Sequence, residues 1–193
     1  APDKSVFGKA FGLNPENGLT EKIYNKVIRK LESEAVEDFR IDFEDGFGNR
    51  PDKEEDETAE FTAGEVAKAM NENLLSPFFG IRIKTFSEEL KLRAIRTLDI
   101  FLTALVNITG GKLPDNFVVT LPKVTVPEHV TALIDVFEML EKKLNLQHNT
   151  LQMEIMIETT QSIFDQDGRS NIISLVKAAK GRCKAAHFGV YDY

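Results

Sequence analysis

The sequence predicts an α/β fold built on a parallel sheet. Five short runs, residues 38–45 (DFRIDFED), 78–86 (FFGIRIKTF), 116–124 (NFVVTLPKV), 151–159 (LQMEIMIET) and 185–192 (AAHFGVYD), have the length and alternation of strands. Amphipathic stretches at helical spacing lie between them, and strands alternating with helices imply βαβ units and parallel pairing. Each run also ends in acidic, basic or loop residues. Parallel sheets bind ligands at the carboxyl ends of their strands, so these residues are expected to converge on one mouth.

The elements follow in order. Gly, Asn and Pro mark the stretch up to Thr20 as loop, with Thr20 capping a helix over 21–34. Ile23, Val27, Ile28 and Leu31 recur at helical spacing there and predict a buried stripe. After the first strand, residues 46–60 read as a glycine-rich and then acidic loop, followed by a helix over 64–74 whose dipole suits the acids ahead of it. The longest helical pattern covers 87–110, with Ser87 as its cap and Gly110 or Gly111 as its stop. Residues 127–145 and 170–181 predict two more helices. No linker, repeat or low-complexity run divides the chain, so residues 1–193 read as one domain.

With 193 residues, 42% of them hydrophobic, the chain has apolar material for a substantial core. Its 31 acids against 24 bases give a formal charge of -7 and an isoelectric point near 5.1. That balance argues against nucleic acid, which requires clustered Lys and Arg, and leaves small molecules or proteins as partners. The single cysteine, Cys183, permits no intrachain disulfide, and no apolar run reaches the roughly 18 residues of a membrane span. The first residues lack the apolar core of a signal peptide. A cytoplasmic setting, away from membranes, is the expectation.

Side chains on a strand alternate faces with period two. Arg40, Asp42 and Glu44 therefore share a face, as do Arg82 with Lys84, and Glu154 with Met156 and Glu158. The opposite faces carry Phe39, Ile41 and Phe43; Ile81 and Ile83; Ile155 and Ile157, which amphipathic helices must cover. The charged faces then look into a barrel interior, where charge is costly unless paired or used to hold a metal. With Lys123 and Asp192 also inward, four bases (Arg40, Arg82, Lys84, Lys123) face five acids (Asp42, Glu44, Glu154, Glu158, Asp192).

Five motifs in this order resemble a known family: DFED at 42–45, GIRIK at 80–84, LPKV at 121–124, IET at 157–159 and FGVYD at 188–192. They look like the citrate lyase β-subunit and malyl-CoA lyase group of the phosphoenolpyruvate/pyruvate-binding barrel superfamily. Residues 37–59 and 181–193 are similar to an uncharacterised aldolase- or citrate-lyase-like branch of that group. The resemblance implies a (β/α)₈ TIM-type barrel, present here in part, with strands corresponding to about the second to sixth. It further implies a lyase or aldolase in which Mg²⁺, or Mn²⁺, is held by Glu158 and Asp192. Arg82 would bind a substrate carboxylate or enolate oxygen. Beyond what the resemblance implies, the residues themselves suggest Glu44 and Asp45 as supporting members of the catalytic group and Lys84 and Lys123 as cations facing the substrate. The substrate would be a small oxo-acid or carboxylate, with a coenzyme A thioester left open. A homo-oligomer, or the remainder of the barrel, is the expected partner.

The chemistry is consistent with that assignment. Mg²⁺ takes hard oxygen ligands, commonly one or two carboxylates plus substrate oxygens and water. A metal and an arginine can then stabilise the charge left when a carbon-carbon bond breaks. Two alternatives remain: a phosphoenolpyruvate-using transferase on the same barrel, and a non-catalytic fragment or binding module.

Three departures from the family pattern stand out. Lys84 occupies a position that is commonly Asn, and is expected to meet a second substrate carboxylate or to pair with Glu44. Thr125 stands where many relatives have an acid. The typical barrel needs about 250 residues and eight strands, whereas relatives have one strand before and at least two after the five found here. The other charged or reactive residues read as structural. Arg40 and Glu154 suggest a deep ion pair, His187 a strand histidine, His129 and His148 surface positions, and Cys183 an inert thiol after a helix end. Arg50 lies on the loop after the first strand, within reach of an anionic substrate.

Overall fold

The computed structural model describes residues 3–192. Contacts separate two compact units, residues 1–38 and residues 39–193.

In the first unit the expected loop contains a helix, α1 (Lys4–Ala10), capped by Asp3, whose side chain accepts from the Val6 N–H. A second helix, α2 (Gly18–Ser33), begins three residues earlier than expected, because Asn17 and not Thr20 is its cap. Thr20 is instead buried, and its hydroxyl donates to the Asn14 carbonyl at 2.6 Å, folding the connecting turn against the helix. Phe7 packs edge-on against Tyr24, with ring centroids 5.5 Å apart. Since α1 has only two turns, it covers just the start of α2. The predicted buried stripe is accordingly not formed: Ile23 and Ile28 are half-buried, while Val27 and Leu31 are exposed.

The second unit contains the five expected strands: β1 (Asp38–Asp42), β2 (Phe78–Arg82), β3 (Phe117–Leu121), β4 (Gln152–Ile157) and β5 (Cys183–Phe188). They form one parallel sheet in the order β1-β2-β3-β4-β5, open at both outer strands. Helix α3 (Asp52–Glu72) starts twelve residues before the predicted position, because the acidic run that reads as loop forms its first turns. Pro51 precedes it with a compatible backbone, and Asp52, Glu54 and Glu55 sit where the dipole favours negative charge. Helix α4 (Lys91–Thr109) ends at Gly110 in the left-handed conformation, as the sequence suggests. Ser87 begins a turn leading into α4, its carbonyl accepting from the Leu90 and Lys91 N–H groups, and is not the cap. Helices α5 (Pro127–Lys143), α6 (Thr160–Ile163) and α7 (Ile172–Ala178) complete the unit, α6 being a single turn with no signal in the sequence pattern. Among the described residues no helix is long and apolar enough to cross a membrane.

The long helices of this unit pack on one face of the sheet. Ile81 and Ile83, Val119 and Leu121, and Met153 and Ile155 join Ala59, Ala63, Leu98, Phe101, Leu133 and Phe137 in a single core. The strand order never reverses along the sheet, so every connection returns to the same side. The other face is concave and charged. In register across it lie Arg82, Thr120, Glu154 and Ala185.

One ion pair spans that face. The head groups of Arg40 on β1 and Glu154 on β4 lie 3.2 Å apart, their two long side chains reaching across three strand spacings, roughly 14 Å between backbones in a flat sheet. Gly80 on β2 makes this possible. A Cβ there would collide with the Val118 carbonyl oxygen and lie 3.2 Å from Cδ of Arg40, so only glycine leaves room for the arginine arm.

A second buried pair fixes the opposite end of the strands. Arg182, fully buried just before β5, donates to both carboxylate oxygens of Glu141 at 2.6 and 2.9 Å, and Glu141 also accepts from the Asn149 and Leu151 N–H groups. Burial alone would raise the Glu141 pKa, but Arg182 and the two amides outweigh it and hold the carboxyl below its usual range.

Two outcomes are expected. Gly80→Ala should destabilise the protein by about 1–3 kcal/mol through overpacking against β3, measured by denaturant unfolding. Arg182→Met should cost about 3–5 kcal/mol by leaving Glu141 buried without its partner. Because the folded-state pKa of Glu141 is depressed, the pair's contribution is complete above its unfolded value near 4.5 and is lost as pH falls through the lower folded value. The acid limb of the stability curve should therefore flatten in Arg182→Met.

Candidate functional site

The carboxyl ends of the strands bring most of the predicted residues together on the concave side. Asp42, the last residue of β1, is the hub of the first layer. Its carboxylate takes a two-pronged contact from Arg82 at the end of β2, Nε to Oδ1 at 2.7 Å and Nη2 to Oδ2 at 2.5 Å. The same oxygens accept the Glu44 N–H at 2.9 Å and the Gly46 N–H at 2.8 Å, which bends the chain sharply after β1. Gly46 is required here, since a Cβ would sit 2.5 Å from Asp42 Oδ2. Burial alone would raise the Asp42 pKa; Arg82 and the amides bring it below the ordinary range. Asp42 in turn raises the pKa of Arg82.

Alternation places Asp42 in the lining but says nothing of its role as anchor. Its i, i+2 relation to Arg40 and Glu44, on the charged face that Arg82 shares, is the available signal. With Nε and Nη2 on Asp42, Nη1 of Arg82 donates to the Met156 sulfur at 3.6 Å and lies 3.5 Å from Glu44 Oε2.

Lys123, beyond β3, forms the second layer. Its ammonium binds Glu44, lies 2.9 Å from both oxygens of Asp45, and is 3.6 Å from Asp192. Its backbone is left-handed, with φ 50°, and turns the Lys123 N–H onto Glu158 Oε1 at 2.6 Å. Burial opposes the charge on Lys123, but Glu44 and Asp45 outweigh it and raise the pKa. Burial pushes Glu44 up against the pull of Lys123. At Asp45 burial acts in the same direction, but Lys123 overcomes it and lowers the pKa.

Glu158 is 1% exposed at the end of β4. Burial raises its pKa, and the negative charge of Asp192 adds to the rise, against the Lys123 N–H, the Lys123 ammonium and Arg82. Gly189, after β5, closes over this carboxylate: a Cβ there would lie 2.7 Å from Glu158 Cβ and 2.8 Å from Oε2. Among the described residues no three His, Cys, Asp or Glu side chains are grouped to hold a metal. Glu158 and Asp192 offer two hard-oxygen donors in mutual repulsion. That donor set fits the one or two carboxylates Mg²⁺ commonly takes from a protein, with water and substrate oxygens completing its shell.

Lys84 lies outside this group. It neither pairs with Glu44 nor faces the mouth. Its ammonium is buried 2.8 Å from Glu55 on α3, a partner hidden in the sequence because the acidic run around Glu55 reads as loop. Arg40 pairs with Glu154, which also accepts from Thr120 at 2.8 Å. His187 is exposed on β5, and Cys183, half-buried, opens that strand beyond the end of α7. His129 is half-buried on α5 and not a surface residue, whereas His148 is exposed. Arg50 turns back onto its own loop, donating to the Phe47 carbonyl and to Glu54.

A family model described as Domain of unknown function (DUF6986) matches residues 1–193. The chain belongs to the DUF6986 family. No curated protein matches it. For this DUF6986 member, the strand-end cluster of Asp42, Arg82, Glu44, Asp45, Lys123, Glu158 and Asp192 is thus the principal guide to function.

Gly189→Ala is expected to displace the Glu158 carboxylate from the Lys123 N–H while leaving the fold intact. The measurement is the amide chemical shift of Lys123, which should move upfield as the charged hydrogen bond is lost. Amide shifts of α5 serve as the unchanged reference.

Proposed function

We propose that this protein is a metal-dependent carbon-carbon lyase or aldolase of the citrate lyase β-subunit and malyl-CoA lyase type. It would act on a small oxo-acid or carboxylate in the cytoplasm. In this reading the open sheet is part of a (β/α)₈ barrel, completed by further chain or by association with other copies. The sequential strand order, the helices on one face and the tight curl of the concave face support that architecture.

The observation that carries the functional reading is the position of Arg82. Asp42 anchors it by two hydrogen bonds, leaving Nη1 in the same mouth as the buried Glu158. An arginine held in this way is preorganised, so Nη1 can exchange its weak contact with the Met156 sulfur for a substrate oxygen as negative charge develops there, while the Asp42 contacts stay in place.

Glu158 and Asp192 would hold Mg²⁺ or Mn²⁺, which when bound would polarise a substrate carbonyl and offset charge on its oxygen. Glu44 and Asp45 orient Lys123, and Lys123 fixes Glu158 through its backbone N–H. Burial of Glu158 limits water around the developing charge and strengthens each electrostatic contact.

The test is calorimetric titration with Mg²⁺ and oxalate, a stand-in for the enolate of a 2-oxo acid. Binding is expected only with both present. Glu158→Gln should abolish it, and Arg82→Lys should weaken it about tenfold or more, since lysine lacks the planar fork that grips Asp42 with two nitrogens and presents a third to the substrate. As the Glu158 pKa is raised, affinity should fall with decreasing pH at values above the ordinary carboxylate range. An unchanged affinity in Glu158→Gln would refute the assignment.

A further inference from the structure

Lys84 and Glu55 are buried charges that the proposed chemistry does not use. Their exposures are 4% and 0%. A buried ion pair costs desolvation and is often no more stabilising than a well-packed apolar pair, so its value must lie in what it orders.

The contacts identify what is ordered. Nζ of Lys84 donates to the Phe43 carbonyl at 2.7 Å and to the Gly48 carbonyl at 3.4 Å, and lies 5.3 Å from the centre of the Phe47 ring. These three residues span the turn between β1 and α3, the turn that also carries Glu44 and Asp45. Glu55 is fixed from the other side. Its Oε1 accepts from the Thr97 hydroxyl of α4 at 2.6 Å and lies 3.5 Å from Arg93, which reaches Asp56 at 2.6 Å. An unbroken run of polar contacts therefore leads from α4 through α3 to the wall of the mouth.

We propose that the Lys84–Glu55 pair is a clamp that positions the β1–α3 turn so that Glu44 and Asp45 meet Lys123. Lys84 is on this account a positioning residue and makes no contact with substrate. The effect on ligand binding rests on the function proposed above; the effect on the turn does not.

Replacing Lys84 alone would strand the Glu55 charge, so the informative variant is Lys84→Met with Glu55→Met. Amide hydrogen exchange of the Glu44, Asp45, Gly46 and Gly48 N–H groups is compared with that of α5 and β3, alongside the thermal midpoint. The clamp requires exchange in the turn to accelerate about tenfold, as expected on losing a charged hydrogen bond, while α5 and β3 stay unchanged. Exchange that is unaltered in the turn, or that rises evenly across the unit, overturns it and leaves the pair a packing feature of α3 and α4.

If the double variant does not fold, Glu55→Gln, which keeps the volume and an acceptor for Thr97, takes its place. Faster exchange confined to the turn again supports the clamp, and unaltered or evenly raised exchange again overturns it. Mg²⁺–oxalate affinity is measured in parallel and should fall about tenfold in the variant. A wild-type protein that fails to bind Mg²⁺ and oxalate refutes the proposed function, while the exchange comparison still decides the clamp.

Discussion

One ammonium group draws the mouth of the sheet together. Lys123 lies beyond the central strand, yet its Nζ meets acids that follow β1 and β5, the two outer strands. In a flat sheet those strands would be roughly 19 Å apart, so the contact requires the sheet to roll and the loops after the strands to turn inward. Rolling concentrates like charges at the strand ends, and a cation in their midst offsets the repulsion. The left-handed backbone of Lys123 lets one residue serve acids in different directions, through its N–H to Glu158 and through its ammonium to the others.

Charge on the concave face is arranged in tiers. Deepest is Arg40 with Glu154, which also accepts from Thr120; above it Arg82 is matched by Asp42. These lower tiers are locally neutral. At the rim, Glu44, Asp45, Asp192 and Glu158 surround Lys123 and the exposed edge of Arg82, leaving an excess of negative charge. A neutral floor beneath an acidic rim concentrates attraction for a cation at the position where the proposed chemistry would use one. The same arrangement disfavours the ionised form of Glu158, which is both buried and beside another acid.

The convex face obeys a different rule. Apolar strand residues and the alanine-rich stripe of α3 allow the helices to approach the sheet closely, and the charges caught there, Glu55 with Lys84 and Glu141 with Arg182, are paired. Each pair joins elements that the hydrophobic layer would leave free to slide, the first at the strand ends that form the mouth and the second at the strand starts. Directional contacts thus fix what non-directional burial only holds together.

Much of this is legible in the residues. The five strands, their parallel order and the helices between them follow from periodicity, and the division of each strand into an apolar and a charged face follows from alternation, an intrinsic property of extended chain. Local patterns mislead where a polar run disguises a helix, as in the acidic start of α3, or where a rival cap is better placed, as with Asn17 ahead of Thr20. What the sequence by itself determined was which side chains face the concave surface, Lys84 excepted, which turns to Glu55 on the helix side. Apart from Arg40 with Glu154, which acid takes which base was decided only by the tertiary structure. Arg82 choosing Asp42, Lys84 choosing Glu55 and Lys123 bridging the outer strands depend on distances set by the roll of the sheet and by the start of a helix, neither of which is encoded in any local pattern.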